Sequence, residues 1–180
     1  MIILIGRSAS GKTTIAKKLI EDYNFKKFVT NTTRKMRVGE INDVDYHFIS
    51  EAEFKKKEEQ SMLVESTYYN GYYYGTSIED VSDDKVLIVD INGANKFYEK
   101  LKDQVTIFYI TASTATIKKR MIERHDDMES INSRLKIDEE YFNINKLIHY
   151  DYIINTDNDS IDNITLDVFN KYKSFLKSKN

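Results

Sequence analysis

The segment GRSASGKT, Gly6 to Thr13, has the residue types and spacing of a loop that binds the phosphates of a nucleotide. In the pattern G-x-x-x-x-G-K-[ST], successive backbone N–H groups surround an anion, and the lysine ammonium reaches the β and γ oxygens of a triphosphate. Lys12 is therefore a candidate catalytic residue, and the Thr13 hydroxyl is a candidate ligand of Mg²⁺. The residues that we assign to this phosphate site are Gly6, Ser8, Ser10, Gly11, Lys12, Thr13 and Thr14.

The flanking sequence supports the phosphate loop. The apolar run MIILI predicts a buried strand before it, and TTIAKKLIED, Thr13 to Asp22, predicts a helix after it. The alternative is a glycine-rich turn with an incidental lysine, and these flanking elements argue against it. Ala9 stands where many such loops have glycine, and we expect a negative φ at this residue because it carries a Cβ.

A second group of charged side chains lies in TNTTRKMRVGEINDVDYHFIS, Thr30 to Ser50. Arg34 and Arg37 are three positions apart, beside Glu40 and Tyr46. Two guanidinium groups that converge can bind one phosphate dianion through bidentate hydrogen bonds. The segment therefore predicts a site for a second, phosphorylated substrate.

The elements that must position these residues alternate between strands and helices, which predicts an α/β domain with a parallel sheet. We expect further strands near residues 28–30, 85–90, 104–110 and 151–155, and helices near 93–102, 114–124, 130–148 and 160–178. Between Asn31 and about Val81 the pattern changes to short strands, turns and one charged helix, Glu51 to Gln60. This stretch predicts an inserted lobe.

Composition limits the possible partners. The 180 residues include 27 basic and 29 acidic side chains, a net charge of −2, which favours neither nucleic acid nor a membrane surface as a partner. The chain contains no cysteine, which fits a reducing cytoplasm, and its first residues lack the pattern of a secretory signal. The three histidines do not have the spacing of metal ligands.

The order of motifs resembles the guanylate kinase family, whose members transfer a phosphoryl group from ATP to GMP. The motifs are TTRxxRxGExxxxDYxFxS, ExxxxxGxxYGT, DI and YDYIIN, all behind the phosphate loop. The resemblance implies a P-loop NTPase core in which helices flank a parallel sheet. It also implies one domain, with the core at 1–30, 81–117 and 141–180, a GMP-binding lobe at 31–80 and a mobile lid at 118–140.

The resemblance also implies roles for residues of the lobe. Those that hold the GMP phosphate are Arg34, Arg37, Tyr46 and Tyr74, and those that face guanine are Thr30, Glu65 and Thr76. The chemistry agrees, because guanine presents N1–H and an N2 amine side by side, and the Glu65 carboxylate can accept both. In the tyrosine-rich segment YYNGYYYGT, 68–76, we expect Gly71 and Gly75 to allow tight turns.

Two polar residues lie at the cleft, where the predicted strand KVLIVD ends. Asp90 is expected to orient GMP or a water on Mg²⁺. Asn92 stands where the family usually has a second aspartate, and we assign it to the substrate site as an uncharged contact to base or ribose.

The lid is expected to carry Arg120, Arg124 and Arg134, which would converge on the transferring phosphoryl group and neutralise its charge when the lid closes. The alternative for these arginines is surface ion pairing with Glu123, Asp126 and Asp127. Asn155, in NTDND, is expected to lie beside the adenine of ATP.

The predicted reaction is phosphoryl transfer from ATP to GMP or dGMP, giving ADP and GDP, by a cytoplasmic monomer or homodimer. One alternative is a related P-loop kinase that acts on a phosphorylated sugar such as ribose 1,5-bisphosphate. The other is a binding domain of the same fold without catalytic activity, and the intact Lys12 and Thr13 argue against it.

Overall fold

The computed structural model describes residues 1–69 and 71–179. Its strands are β1 (Ile2–Ile5), β2 (Lys26–Lys27), β3 (Asn31–Thr32), β4 (His47–Phe48), β5 (Leu63–Tyr69), β6 (Tyr72–Ser77), β7 (Lys85–Ile88), β8 (Thr106–Thr111) and β9 (Tyr152–Asn155). Its α-helices are α1 (Lys12–Tyr23), α2 (Glu51–Glu59), α3 (Ile91–Leu101), α4 (Thr114–Glu123), α5 (Met128–Tyr141) and α6 (Ile161–Ser178).

The central sheet is parallel and has the order β2-β7-β1-β8-β9. Strand β1 lies in the middle and is wholly buried, which explains its uninterrupted apolar sequence. Its two neighbours, β7 and β8, both come later in the chain and extend the sheet in opposite directions. Ligands of such sheets bind outside the carboxyl ends of the strands where the order reverses, and here this position is the loop after β1.

Helices cover both faces of this sheet. On one face α1 and α6 pack on β1 and β8 around Leu4, Leu19 and Tyr172. On the other face α3 contributes Phe97 and Leu101. The hairpin of α4 and α5 is held by a much smaller cluster, whose buried members are Ala112, Ile117, Met121 and Ile131. The fold class predicted from the sequence is confirmed.

The segment from Asn31 to Ser77 forms a second sheet, in the order β4-β3-β6-β5. Gly71, in the turn after β5, has a φ of +85°, as expected of a turn glycine. The expectation for Gly75 was wrong, because it lies inside β6 and not in a turn. A Cβ at Gly75 would lie 2.8 Å from the Phe54 ring of α2, so close packing is what requires glycine there.

Most predicted elements are present, with two corrections. Residues 28–30 are not a strand, because the chain there leaves β2 in the central sheet and enters β3 in the second sheet. Helix α5 ends at Tyr141 and not near residue 148. Asn143 follows, and its side chain accepts the Asn145 N–H and begins a separate 3-10 turn, Ile144–Lys146. None of the helices in the described part of the chain is long and apolar enough to cross a membrane.

Candidate active site

The phosphate loop joins β1 to α1 and depends on two glycines. Gly6 has a φ of +142°, and a Cβ on it would lie 2.0 Å from the Ile110 carbonyl oxygen of β8. Gly11 has a φ of +106° and begins α1. Ser10, within the loop, is fully buried. The loop therefore lies against the central sheet, with the N-terminus of α1 behind it.

The conformation expected for Ala9 was wrong. Its φ is +57°, in the left-handed region that alanine rarely adopts. The carbonyl of Ala9 accepts a hydrogen bond from Arg120 Nη1 at 3.2 Å, and the Ala9 side chain packs on the α4–α5 cluster. These contacts hold the loop in its turn although the residue is not glycine.

The Lys12 side chain folds back over the loop. Its Nζ donates to the carbonyl oxygens of Gly6 and Arg7, at 2.6 and 2.7 Å. The Phe142 ring lies 5.7 Å from the ammonium. Burial lowers the Lys12 pKa from 10.5 to about 8, and the nearby Asp138 carboxylate opposes this shift. The ammonium is thus held at the start of the loop, within reach of a terminal phosphate.

Beside the loop lies a cleft of about 360 Å³, lined by Gly11, Lys12, Thr13, Thr14, Arg120, Arg124, Thr156, Asp159 and Ile161, among others. Thr13 and Thr14 are exposed and line the cleft in the first turn of α1. The loop and the ammonium have the residue types of a site that binds the phosphates of a nucleotide. In the described part of the chain no group of three or more His, Asp or Glu side chains could hold a metal ion.

Sequence reasoning missed Thr156, which links this cleft to the loop. Its hydroxyl donates to the Ser10 carbonyl at 2.9 Å and accepts from Arg120 Nη1 at 2.9 Å. The predicted residue, Asn155, instead uses its side chain to accept the Asp157 N–H. The alternation of strand β9 points neighbouring residues to opposite sides, and this pattern could have favoured the buried Thr156.

The three predicted lid arginines occupy different environments in this structure. Arg120 binds the loop carbonyl of Ala9 and both oxygens of Thr156, and Arg124 lies beside it in the cleft wall. Arg124 also pairs with Asp126 at 3.0 Å, the surface ion pair weighed as the alternative. Arg134 is exposed on α5 and is not among the residues that line this cleft.

On the lobe, Arg34 is buried and already paired. Its guanidinium forms a bidentate pair with Glu40, at 2.7 and 3.1 Å, and lies 5.5 Å from the Tyr46 ring. The Glu40 carboxylate, and to a smaller extent the Tyr74 hydroxyl, raise the pKa of Arg34. The rings of Tyr46 and Tyr74 lie 6.1 Å apart. Three of the four predicted phosphate-binding side chains are therefore adjacent.

Arg37, the fourth, is exposed and on the same loop. Its backbone N–H donates to Glu40 Oε2 at 2.7 Å, so one carboxylate organises both arginines. Hydrogen bonds from Arg34 and Arg37 lower the pKa of Glu40. The loop is thus ordered by its own carboxylate.

Glu65 and Thr76, two of the predicted guanine contacts, face each other across β5 and β6. The Thr76 hydroxyl donates to Glu65 Oε1 at 2.8 Å, which orients the carboxylate. Thr30, the third, lies half-buried just before β3. In the tyrosine-rich hairpin, Tyr73 stacks on Phe54 and so ties the hairpin to α2, while Tyr68 is largely exposed.

The Asp90 carboxylate has two protein partners. One oxygen caps α3 by accepting the Gly93 N–H at 2.7 Å, and the other accepts the Tyr141 hydroxyl of α5 at 2.8 Å. Asp90 thereby raises the pKa of Tyr141. Asn92 is exposed in the first turn of α3.

Known proteins of one family are similar to this chain. The model of the family described as guanylate kinase matches residues 1–177. The chain belongs to the guanylate kinase family. A guanylate kinase of Clostridium perfringens is 37% identical over 88% of this chain and 76% of its own length, and one of Lactobacillus acidophilus is 34% identical over 87% and 80%.

A solved structure agrees as well. The crystal structure of guanylate kinase from Anaplasma phagocytophilum covers 97% of this chain and 84% of its own, with a TM-score of 0.63 and 25% identity. Membership of this family favours neither the sugar kinase nor the non-catalytic binding domain.

Proposed function

We propose that the chain transfers the γ-phosphoryl group of ATP to GMP, giving ADP and GDP. The observation that carries the proposal is the presence of two separate clusters. One is the phosphate loop with Lys12, and the other is on the lobe, where Arg34 and Tyr46, which suit a phosphate, accompany an oriented carboxylate, Glu65. A phosphate site and a base-reading carboxylate on one small sheet suit a nucleoside monophosphate.

For the donor, we assign the triphosphate of ATP to the loop N–H groups and Lys12, and Mg²⁺ to the Thr13 hydroxyl. When bound, Mg²⁺ would supply positive charge at the β and γ phosphates. The assigned residues of this side are Gly6, Ser8, Ser10, Gly11, Lys12, Thr13, Thr14 and Asn155, to which the geometry adds Thr156. Lys12 would then move from the loop carbonyls to the phosphates.

For the acceptor, we assign the phosphate of GMP to Arg34, Arg37, Tyr46 and Tyr74. Glu40 already holds Arg34, so the incoming phosphate would add to an ordered loop and need not build one. Glu65, oriented by Thr76, would accept N1–H and N2–H of guanine, with Thr30 beside it. Asp90 and Asn92 complete the proposed acceptor site at the end of β7.

The reaction needs no general base, because a phosphate oxygen of GMP is already an anionic nucleophile. The protein positions the two oxygens in line and neutralises the spreading charge. We assign that charge to Lys12 and Arg34 and, on the proposed lid at 118–140, to Arg120, Arg124 and Arg134. The proposed division is the core at 1–30, 81–117 and 141–180 and the lobe at 31–80. A cytoplasmic location stays a prediction, as does the monomeric or homodimeric state.

The test is an assay of ADP formation from ATP with four separate acceptors: GMP, AMP, UMP and ribose 1,5-bisphosphate. We expect turnover with GMP at least about a hundredfold faster than with the others, because a site built to pair guanine leaves buried polar groups unpaired with the wrong base. Faster turnover with ribose 1,5-bisphosphate would overturn the proposal in favour of the sugar kinase. ATP binding without turnover on any acceptor would favour the binding domain.

A further inference from the structure

Helix α5 places a buried carboxylate on the phosphate loop. Asp138 is 9% exposed, and its Oδ2 accepts the backbone N–H of Ser8 at 2.6 Å. The two residues are 130 positions apart in the chain, so the bond joins separate elements. Nothing in the assigned reaction uses Asp138.

The surroundings of Asp138 are those of a bound anion. A buried carboxylate needs hydrogen-bond donors and a nearby cation, since without them its desolvation is costly. Here the donor is an N–H group of the phosphate loop, and the cation is Lys12, whose pKa the carboxylate partly restores. The Asp138 side chain thus occupies groups that otherwise serve a phosphate.

Asp138 lies at the end of the loop that the γ-phosphate needs. The Lys12 ammonium lies near this end, because it donates to the carbonyls of Gly6 and Arg7 and because the Asp138 carboxylate acts on its pKa. A lysine in this motif serves the β and γ oxygens. One N–H cannot donate well to two anions, and two anions that are both close enough to accept from it repel each other. A γ-phosphate and the Asp138 carboxylate therefore exclude each other.

Further contacts hold the same half of α5 against the loop. Arg7 Nη2 donates to the Leu135 carbonyl at 3.4 Å, and the Tyr141 hydroxyl donates to Asp90 at 2.8 Å. The apolar cluster between α4 and α5 is small. Polar contacts to the loop and to Asp90 are thus a large part of what holds this half of α5 in place.

We propose that Asp138 is an internal competitor of the γ-phosphate, which occupies the Ser8 N–H in the nucleotide-free protein and must be displaced by ATP, releasing the C-terminal half of α5. The proposal rests on the proposed function only in taking ATP as the donor. It makes Asp138 a positioning residue that couples the loop to α5. ADP ends at the β-phosphate, so it leaves Asp138 in place, and the carboxylate returns once the γ-phosphoryl group has been transferred.

The first test compares ATP and ADP affinity, by calorimetry with Mg²⁺ and without acceptor, in wild type, Asp138→Asn and Asp138→Ala. The matched control is Glu139→Gln, which removes the same charge from an exposed position of the same helix. We expect both Asp138 variants to bind ATP about tenfold more tightly, the scale of one charge-assisted hydrogen bond. ADP affinity and the control should change less than about twofold.

Unchanged or weaker ATP binding in the Asp138 variants would overturn the proposal, as would equal gains for ATP and ADP. The outcome is separate from that of the proposed function. A protein that phosphorylates GMP but shows no shift in the ATP-to-ADP ratio refutes only the competitor. A shift in that ratio without GMP turnover refutes only the acceptor.

The second test uses the wild-type chain and holds even if the variants fold poorly. Amide hydrogen exchange is followed in the segment 135–142 and at Ser8, without nucleotide, with ADP and with a non-hydrolysable ATP analogue. We expect the analogue, and not ADP, to raise exchange of 135–142 severalfold, because it displaces Asp138. Equal exchange of this segment with the analogue and with ADP would contradict the proposal.

Discussion

In the phosphate loop, and in the loop of the lobe between Arg34 and Glu40, a group proposed to bind an anion is hydrogen-bonded to a carboxylate of the protein. The two carboxylates differ in how far along the chain they lie from the group that they bind. In the lobe, Arg34 is paired with Glu40, six residues along the same loop. At the phosphate loop, the Ser8 N–H is paired with Asp138, 130 residues away on α5. The first pair is local, and the second joins two elements.

This difference decides what a ligand does at each site. A buried polar group of a binding site needs a hydrogen-bond partner even when no ligand is bound. A local pair does so without linking elements, so a phosphate can join Arg34 while the loop keeps its shape. A long-range pair couples ligand binding to the position of the helix, because the ligand must displace the carboxylate that the helix carries. We therefore expect order on the acceptor side and movement on the donor side.

The largest expected effect on activity is that of Lys12→Ala, on the donor side. We expect kcat to fall by about a thousandfold or more, because the ammonium that follows the γ-phosphoryl group is lost from a site with little water. Steady-state kinetics with ATP and GMP measure this, and circular dichroism checks that the fold is intact. The control is Lys17→Ala, an exposed lysine of α1. Turnover within tenfold of wild type would refute the role of the phosphate loop.

On the acceptor side, the first variant to test is Arg37→Ala. We expect Arg37→Ala to raise the KM for GMP by about ten- to a hundredfold, the loss of a charge-assisted contact, and the KM for ATP by less than twofold. Lys35→Ala, an exposed cation two residues away, is the control. Equal losses for both substrates would contradict the division between donor and acceptor sites.

Arg34→Ala sharpens the comparison because Arg34 is paired and Arg37 is exposed. Removing Arg34 leaves the Glu40 carboxylate without its bidentate partner, so we expect a lower melting temperature in addition to weaker GMP binding. Arg37→Ala should leave the melting temperature within about a degree of wild type. Equal melting temperatures of the two variants would show that the pair with Glu40 does not order the loop.

The sequence predicted the elements around the phosphate loop well because their determinants are local. The loop motif, the strand before it and the helix after it all lie within residues 1–23. The parallel sheet was equally predictable, since β1 and β8 are buried, mainly apolar runs and β7 has two buried apolar residues at its centre.

What the sequence did not reveal depends on tertiary contacts. The left-handed φ of Ala9 is imposed by contacts from α4 and α5, and local propensity alone favours the opposite sign. Gly75 carries no turn signal, and only the Phe54 ring explains it. Asp138 is one of several acidic residues of α5, and the sequence alone favours an exposed position for it. It is buried only because α5 packs on the phosphate loop.

The base-reading role of the lobe is tested by Glu65→Gln. The amide keeps an acceptor for Thr76 but turns a donor toward a donor of guanine, so we expect a loss of about 1–3 kcal/mol in GMP binding. IMP lacks the N2 amine and should lose less. The measurement is kcat/KM for both acceptors, with Glu59→Gln on α2 as the control. An unchanged preference for GMP over IMP would show that Glu65 does not read the base.

The smallest expected effect is the uptake of protons when ATP binds. It should occur at the donor site, through Lys12, and not at the acceptor site. Burial lowers the Lys12 pKa to about 8, so at pH 8 the free protein carries about half a proton on Lys12. Bound phosphates favour the charged form and raise this pKa, so ATP binding at pH 8 should take up to about half a proton. At pH 6.5 Lys12 is already charged and should take up little. By linkage, this contribution makes ATP affinity fall as pH rises through 8.

Calorimetry in two buffers of different ionisation enthalpy measures this uptake, and the difference between variants removes the protons of ATP itself. Lys12→Arg should lose the contribution, because a guanidinium stays charged at every pH tested. Arg37→Ala should keep it, because the acceptor loop binds its anion with groups that do not titrate in this range. Equal uptake by wild type and Lys12→Arg would mean that the ammonium is fully charged before ATP arrives. The carbonyls of Gly6 and Arg7 and the Asp138 carboxylate would then outweigh the burial of Lys12.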